Sequence, residues 1–550
     1  MTAHCPFADG LRLQHRKDKM KVLVTDKINE SAGKIIEQAA QVDILPTMPE
    51  EELIQIIPQY DALMVRSQTK VTAKIIEAGK NLKIIGRAGV GVDNIDVDAA
   101  TQKGIIVVNS PDGNTMAAAE HTIALMLAMA RNIAPAAAST KSGKWDRSKF
   151  TGCELYKKTL GIIGLGKIGS HVAEVALAMG MKLVVFDPYT SKEVVEKTGG
   201  EYVKSLDDFW GKCDFITVHV PKTKETINLI NKTTISKMKK GVRLINCARG
   251  GIINEQDLKE AIEAGQVAGA AIDVYENEPD ITKCPLISCE GNIVLTPHLG
   301  ASTQEAQINV AVDVAEQIKE VLSGGSASSA VNIPSLRPDK LEPVKDYMQI
   351  AENSGELAMQ LSGGMVKTIE ITAQGDLAEL DVQPLEVAVL KGVLSSMLEG
   401  VNYVNAPVLA KKRGIDIISS RSKIKCSFAG LLTIKLTTDK GVSIVAGALV
   451  AKDIPRIVKI DDYETSIRPQ KHMLIVPHIN KPSMIAKVAK VIGENNINIG
   501  SMNVVQKNDK HETESIMVIN IDSEVGESVL SEIEKIDGVH NPKYINLSAQ

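Results

Sequence analysis

The stretch Thr159-Leu160-Gly161-Ile162-Ile163-Gly164-Leu165-Gly166-Lys167-Ile168-Gly169 constrains this chain more than any other. A short apolar run enters a turn with glycines at Gly164, Gly166 and Gly169, and a helical pattern follows over 171–179. In a strand–turn–helix of this kind the first glycine permits the tight turn. The second lets the backbone approach a pyrophosphate, and the third lets helix pack closely on strand. The helix N-terminus then offers unpaired N–H groups and a positive dipole end to phosphates. A glycine triplet alone is weak, because turns collect glycine. Here a second apolar run, 183–186, ends in Asp187 about twenty residues on, where a carboxylate accepts hydrogen bonds from a ribose. The order predicts a dinucleotide site. The Asp187 carboxylate would repel a 2′-phosphate, and Pro188-Tyr189-Thr190 brings no arginine to hold one, so NAD is favoured over NADP.

At 550 residues the chain has room for three or four domains, each with its own core. A net charge of −4 argues against a nucleic-acid binder. Seven scattered cysteines without C-x-x-C spacing point to a reducing compartment, with no disulfide framework and no metal site. No apolar run reaches the roughly 18 residues of a membrane span. Residues 1–19 are polar and aperiodic, lack the apolar core of a secretory signal, and read as a disordered extension. These features predict a cytoplasmic protein with neither a membrane nor a nucleic-acid partner.

From Lys21 on, short apolar runs (22–24, 42–45, 62–65, 82–85 and 105–108) alternate with helical stretches such as 31–41 and 72–78. That alternation predicts a parallel sheet with helices on both faces, and ligands in such sheets sit beyond the carboxyl ends of the strands. The third run is followed there by Arg66-Ser67, the fourth by Gly86-Arg87-Ala88-Gly89-Val90-Gly91, and the fifth by Asn109 to Asn114. Two arginines, backbone amides and Asn114 are a suitable cradle for an anionic substrate. A long helix is predicted over 115–132, with His121 packed or capping in it.

Beyond the glycine turn, strands are predicted at 215–219, 242–246, 269–272 and 293–295. The segments after them are His219-Val220-Pro221, Cys247-Ala248-Arg249-Gly250-Gly251, Asp273 to Pro279, and Thr296-Pro297-His298-Leu299-Gly300-Ala301. An Arg, a Glu and a His on one crevice form a catalytic set. Arg249 offers a planar fork for a carboxylate. His298 can take a hydroxyl proton near neutral pH. Glu278, bonded to the imidazole, would raise its basicity and fix its tautomer. A helix over 304–322 is expected back against the first sheet, which leaves a cleft between the two sheets' domains. Gly324 to Ser329 reads as a linker. An α+β region runs to about residue 470, and the last 80 residues read strand, helix, strand, strand, helix, strand.

The segments Asn246-Cys247-Ala248-Arg249-Gly250-Gly251, Asp273-Val274-Tyr275-Glu276-Asn277-Glu278-Pro279 and Thr296-Pro297-His298-Leu299-Gly300-Ala301 resemble the signatures of the D-2-hydroxyacid dehydrogenases, and the resemblance runs from Lys21 to about Asn332. It implies Arg249 as substrate binder, Glu278 and His298 as the acid–base pair, and Asp273 near the nicotinamide. It also implies cofactor contacts at Lys167, Ile168, Val220, Thr226, Cys247, Ala248, Arg249, His298, Gly300 and Ala301. Val65-Arg66-Ser67, the segment 86–94, Leu390-Lys391-Gly392 and Asn402 to Pro407 resemble the long branch of that family, which carries an intervening domain and a terminal ACT domain. That branch oxidises 3-phospho-D-glycerate with NAD at the entry to serine synthesis. Arg66, Ser67, Arg87 and Asn114 are the substrate-side candidates. His478, Asn480 and Asn498 would bind an L-serine effector at a paired interface of a homo-oligomer, a dimer or tetramer, although Ser483 stands where the pattern has glycine.

The expected architecture is α/β, with two doubly wound parallel-sheet (Rossmann-like) domains, the nucleotide domain inserted in the substrate domain. An α+β intervening domain and a βαββαβ ACT domain follow. The boundaries are 20–117 with 303–325 for the substrate domain, 118–302 for the NAD domain, 333–470 and 471–550. The rival readings are a reductase of another 2-hydroxy acid, such as hydroxypyruvate or glyoxylate, and a non-catalytic sensor of NAD or an amino acid. The intact set Arg249, Glu278 and His298 weighs against the sensor.

Overall fold

The computed structural model describes residues 20–424, 426–451, 454–507 and 514–548. The extension read at 1–19 lies outside the described residues. Two compact units make up the chain. One comprises 20–87, 92–109 and everything from Val314 on; the other comprises Ala88–Gly91 and Ser110–Asp313.

The first unit opens with β1 (Lys21–Val24), β2 (Gln41–Ile44), β3 (Ala62–Val65), β4 (Ile84–Arg87) and β5 (Ile106–Asn109). They form a parallel sheet in the order β2-β1-β3-β4-β5. The runs of Val, Ile and Leu with little alternation are those of strands buried on both faces. Leu23, Leu63, Val65, Ile85 and Val107 form one core with the helices Glu50–Ile56 and Ala73–Ala78. A Cβ added to Gly86 would stand 2.5 Å from Val314, so from Val314 on the helix Gln304–Leu322 lies directly on β4.

The second unit holds β6 (Thr159–Ile163), β7 (Lys182–Phe186), β8 (Glu201–Tyr202), β9 (Phe215–Val218), β10 (Val242–Asn246), β11 (Val267–Ile272) and β12 (Ile293–Leu295). All pairs are parallel in the order β12-β11-β10-β9-β6-β7-β8. The order reverses between β6 and β9, the point at which a doubly wound sheet opens a crevice for a ligand. The helix read as 115–132 differs in outline: it spans Thr115–Ala130, breaks at Asn132 (φ 50°), and resumes as Ile133–Lys141. The second piece buries no residue, so it has no apolar stripe to betray it in sequence. The helix after the glycine turn begins at Lys167 rather than 171, because Gly166 and Gly169, which weaken its helical signal, are its N-cap and part of its first turn.

The remainder of the first unit carries two further sheets. β13 (Val366–Gly375), β14 (Asp416–Ser422), β15 (Gly430–Thr438), β16 (Val442–Ala451), β17 (Ile454–Ile460) and β18 (Tyr463–Ile467) run in the order β14-β13-β15-β16-β17-β18. Only the β13–β14 pair is parallel. β19 (His472–Ile479), β20 (Ile499–Gln506), β21 (Glu514–Ile521) and β22 (Lys543–Asn546) form an antiparallel sheet in the order β20-β21-β19-β22. Helices Met484–Glu494 and Glu527–Glu534 pack on it through Val488, Ile492, Val529 and Ile533, against Leu474, Val476, Met517 and Ile519. This is the βαββαβ unit read from the terminal sequence.

Candidate active site

The glycine turn is built as its residues require. Gly164 sits at φ +94°, and a Cβ there would stand 2.6 Å from the His219 carbonyl oxygen. A Cβ on Gly169 would stand 2.1 Å from the Gly164 carbonyl oxygen, so the helix Lys167–Ala178 can approach the turn only with glycine at that position. Gly166 differs: nothing lies within 4 Å of where its Cβ would be, and no side chain caps the helix that it starts. An uncapped helix N-terminus facing open space at a glycine suits a pyrophosphate, so the residues present fit a dinucleotide. Asp187, just after β7, binds the turn from the other side. Its Oδ2 accepts from the Leu165 amide at 2.7 Å, and its Oδ1 from the amides of Tyr189 (2.8 Å) and Thr190 (3.1 Å). Lys167 forms an ion pair with Asp112, and Ile168 packs beside the core of this unit.

Beyond β9, half-buried Val220 packs against a second core of this unit, and the Thr226 hydroxyl closes the loop by donating to the Pro221 carbonyl at 2.6 Å. Burial pushes the His219 imidazole down to about 4, which keeps it neutral at physiological pH. Burial likewise pushes the Cys247 thiol up to about 12, so it stays protonated and unreactive.

Three loops at the carboxyl ends of the adjacent strands β10, β11 and β12 carry Arg249, Glu278 and His298. Asn246 braces the first loop: its side chain donates to the Arg249 carbonyl (2.9 Å) and accepts from the Ala248 amide (3.0 Å). Gly250 passes so close to the next loop that a Cβ would stand 1.8 Å from the Tyr275 carbonyl oxygen. The Arg249 guanidinium is half-buried and donates from Nη1 to the Ala248 carbonyl at 2.7 Å. Glu278 Oε1 accepts from the Tyr275 amide at 2.7 Å, and its Oε2 lies 2.6 Å from His298 Nδ1. Burial alone would raise the Glu278 carboxyl. The bonds from His298 and the Tyr275 amide, with the His298 charge, outweigh burial and hold it below the usual range. The ionised carboxylate can only accept, so Nδ1–H donates to it, and in the neutral ring Nε2 then carries the lone pair.

His298 stands at φ 54°, a left-handed conformation unusual outside glycine. Its loop hangs on Asp273, a fully buried carboxylate. Oδ1 accepts from the Thr296 hydroxyl (2.5 Å), the Leu299 amide (2.8 Å) and His121 Nε2 (3.2 Å); Oδ2 accepts from the Gly300 amide (2.9 Å). Burial would raise this carboxyl too, and those four donors hold it low. A Cβ on Gly300 would meet Asp273 at 3.3 Å, and Ala301 follows half-buried. At the start of the helix Thr115–Ala130, Asn114 Oδ1 is buried without a partner among the described residues. Asn246, Tyr275, Thr296 and His121 escaped the sequence reading as site-builders. Asn246, Tyr275 and Thr296 sit inside the quoted motifs, whereas His121 is 152 residues from Asp273 and gives no local signal.

In the other unit, Arg66 and Ser67 follow β3 and Arg87 ends β4. Asp26 anchors that region, accepting from the amides of Arg66 (2.8 Å) and Thr69 (3.2 Å) and from the Thr69 and Thr47 hydroxyls. In the terminal domain His478 is buried and bonds Nδ1 to the Val476 carbonyl (3.1 Å), Asn480 is exposed, and Asn498 donates to Asp522 (2.7 Å). Burial lowers the His478 imidazole, partly offset by that bond. Ser483 sits at φ +72°, which explains why the related pattern has glycine there.

The parallel sheet with its glycine turn and the Arg–Glu–His loops are those of the D-isomer specific 2-hydroxyacid dehydrogenases. Residues 123–300 match that family's NAD-binding domain, 343–461 match the D-3-phosphoglycerate dehydrogenase intervening domain, and 472–538 match the ACT domain. The chain is 50% identical to D-3-phosphoglycerate dehydrogenase of Synechocystis sp. over 98% of its length and 97% of that protein's. It is 44% identical to the enzyme of Methanocaldococcus jannaschii, over 96% of this chain and all of that one. It is 40% identical to that of Bacillus subtilis, over 96% and 99%. The chain belongs to the D-3-phosphoglycerate dehydrogenase family. Solved structures of a glyoxylate reductase from Paecilomyes thermophila (TM-score 0.53, 29% identity, 57% of this chain and 98% of that one) and of apo D-lactate dehydrogenase from Escherichia coli (0.51, 29%, 57% and 100%) share the dehydrogenase part of the fold.

Proposed function

We propose that this chain oxidises 3-phospho-D-glycerate to 3-phosphohydroxypyruvate with NAD, the first step of L-serine synthesis, in the cytoplasm. The observation that carries the reading is the His298–Glu278 pair at 2.6 Å, with Nε2 left as the free base. The Arg249 guanidinium holds the substrate carboxylate and polarises the neighbouring C–O bond. His298 Nε2 takes the hydroxyl proton, and Glu278 stabilises the imidazolium that results. The C2 hydrogen leaves with its electron pair as the carbonyl forms; NAD, when bound, supplies the acceptor. Gly164, Gly166, Lys167, Ile168 and Gly169 receive the pyrophosphate and Asp187 the ribose. Val220, Thr226, Cys247, Ala248, Gly300 and Ala301 line the rest of the dinucleotide path, and Asp273 supports its nicotinamide end. Arg66, Ser67, Arg87 and Asn114 hold the anionic substrate; the orphaned Asn114 Oδ1 fits a donor on a bound ligand.

The test is NADH formation from 3-phospho-D-glycerate with the product trapped, against unphosphorylated glycerate, lactate and glycolate. The phosphorylated acid is expected to be turned over far faster than the others, and His298→Ala to lose that activity. Equal turnover of glycerate would reject the substrate in favour of a broader 2-hydroxyacid reductase. We further propose that the chain forms a homo-oligomer whose paired ACT domains bind L-serine through His478, Asn480 and Asn498. Titrating L-serine against the wild type and Asn480→Ala tests this, and a wild type indifferent to L-serine removes it.

A further inference from the structure

His121 has no part in the chemistry above, yet it reaches into the carboxylate on which the His298 loop hangs. The helix Thr115–Ala130 lies on the β10–β12 face of its sheet, where Ala119, Leu125, Met126 and Met129 pack with Ile245, Ala271 and Val294. From that rigid platform His121 Nε2 comes to 3.2 Å from Asp273 Oδ1 and 3.3 Å from the Thr296 hydroxyl. The geometry settles the proton. Thr296 spends its hydroxyl hydrogen on Asp273 Oδ1 (2.5 Å), and the ionised carboxylate can only accept, so Nε2 must carry the hydrogen. Its N–H is shared between the carboxylate and the Thr296 oxygen.

The other partners of the Asp273 carboxylate, namely Thr296, Leu299 and Gly300, belong to the loop itself. Among the described residues, His121 is the one donor brought to it from a separate element. Asp273 has no exposure, so water cannot take over a bond that His121 leaves unmade. The His298 side chain is 49% exposed and gains little orientation from packing. Its aim rests on Glu278 and on a backbone held at φ 54° by bonds from its own amide to the carbonyls of Asp273 (2.9 Å) and Thr296 (3.0 Å).

We propose that His121 is a positioning residue of the reaction: by fixing the Asp273 carboxylate it orders the backbone of Leu299 and Gly300 and thereby aims the His298 imidazole. The inference rests on the acid–base role given to His298 above. His121→Phe in the full chain keeps the bulk and removes the donor. His121→Gln places an amide N–H near the lost Nε2–H, and His121→Asn is too short to reach. A base displaced by about an ångström can lose about a hundredfold in rate. The expected result is a kcat lowered about tenfold or more in the Phe and Asn variants and largely restored by Gln, with KM for the 2-hydroxy acid, held by Arg249 on another loop, changed less than about threefold. Hydrogen exchange in peptides covering 296–301 of the ligand-free protein is expected to speed up about tenfold or more in the Phe and Asn variants and to stay slow with Gln.

Wild-type kcat in the Phe variant, or a fall in kcat with exchange unchanged, would overturn the proposal. Equal losses in Gln and Asn would do so as well, and that comparison decides the matter should the Phe variant fail to fold. A wild type inactive on every 2-hydroxy acid would sink the reading of His298 instead. The exchange measurement would still decide whether His121 orders the loop.

Discussion

Gly169 leaves no room for a methyl group. A Cβ there would stand 2.1 Å from the Gly164 carbonyl oxygen, which belongs to the turn and cannot swing away as a side chain would. Gly169→Ala should therefore pry the helix Lys167–Ala178 from the turn, lower stability by about 1–3 kcal/mol, and weaken NAD binding more than it weakens substrate binding. Calorimetric titration of NAD alongside a thermal melt checks both; unchanged NAD affinity would contradict it. Glu278 makes a sharper residue-scale case. Its carboxylate accepts from His298 Nδ1 at 2.6 Å and so fixes the ring's tautomer and aim. Glu278→Gln can offer an N–H where the ring needs an acceptor, and the hold on the ring is lost. The plateau of kcat/KM should then fall about a hundredfold, within the range that general-base catalysis supplies. An unchanged kcat/KM would mean that Glu278 does not orient the base.

At the scale of elements, every strand of the two parallel sheets except the two-residue β8 was legible, with the loops at their carboxyl ends, because short Val/Ile/Leu runs punctuated by glycine admit few other folds; Glu201–Tyr202 is too short and too polar to show such a run. The helix Lys345–Ser362 shows where such reading stops. Its polar residues Glu352, Asn353, Ser354 and Glu356 would be assigned to a solvent face, yet all are buried. The reason lies in a partner helix nearly 40 residues away, with Lys391 and Glu352 39 residues apart. Gly355 and Gly392 let this helix and Gln383–Ser395 cross closely, with would-be Cβ atoms 2.5 Å from the Val389 oxygen and 2.1 Å from the Glu352 oxygen. Polar groups from both then meet inside: Lys391 Nζ and the Tyr403 hydroxyl each reach Glu352 at 2.5 Å. Neither the crossing nor the pair can be seen from local pattern, and His121 was missed for the same reason of distance. Glu352→Leu should leave Lys391 buried without the carboxylate it bonds directly and destabilise the chain by about 3–5 kcal/mol. The double variant Glu352→Leu with Lys391→Met should recover most of that in denaturant melts. A double variant no more stable than the single one would argue that the charges are not the source of the loss.

At the scale of the whole molecule, the terminal domain is fastened to the domain before it by its own last strand. β22 is an edge strand, and such edges expose backbone groups that must be covered. Here Gln360 stands in for a neighbouring strand: its carboxamide donates to the Asn546 carbonyl at 2.8 Å and accepts from the Asn546 amide at 2.9 Å. Lys543 donates to the Leu361 carbonyl, and the amide and hydroxyl of Ser548 both reach Glu356 at 2.9 Å. Each neutral bond contributes about 1 kcal/mol and those to a carboxylate about twice that, so the fastening is strong enough to make the two domains melt together. Gln360→Ala combined with Glu356→Ala should split one calorimetric transition into two. The fastening also carries a pH dependence of known sign. Burial raises the Glu356 carboxyl, with Glu352 adding to it, and the Ser548 bonds and Lys391 only partly offset this. A carboxyl raised in the folded protein holds its proton more tightly there than in the unfolded chain. Its contribution is then complete below the ordinary value of 4.5 and is lost as the pH climbs through the folded value. Glu356→Gln cannot titrate. The melting temperature of the wild type relative to that variant should therefore be highest at the acid end, fall as the pH rises above 4.5, and level off once the carboxyl has ionised in the folded protein. A difference that stays flat across that span would show that Glu356 keeps its ordinary acidity, and one that rises would show that the Ser548 bonds prevail over burial.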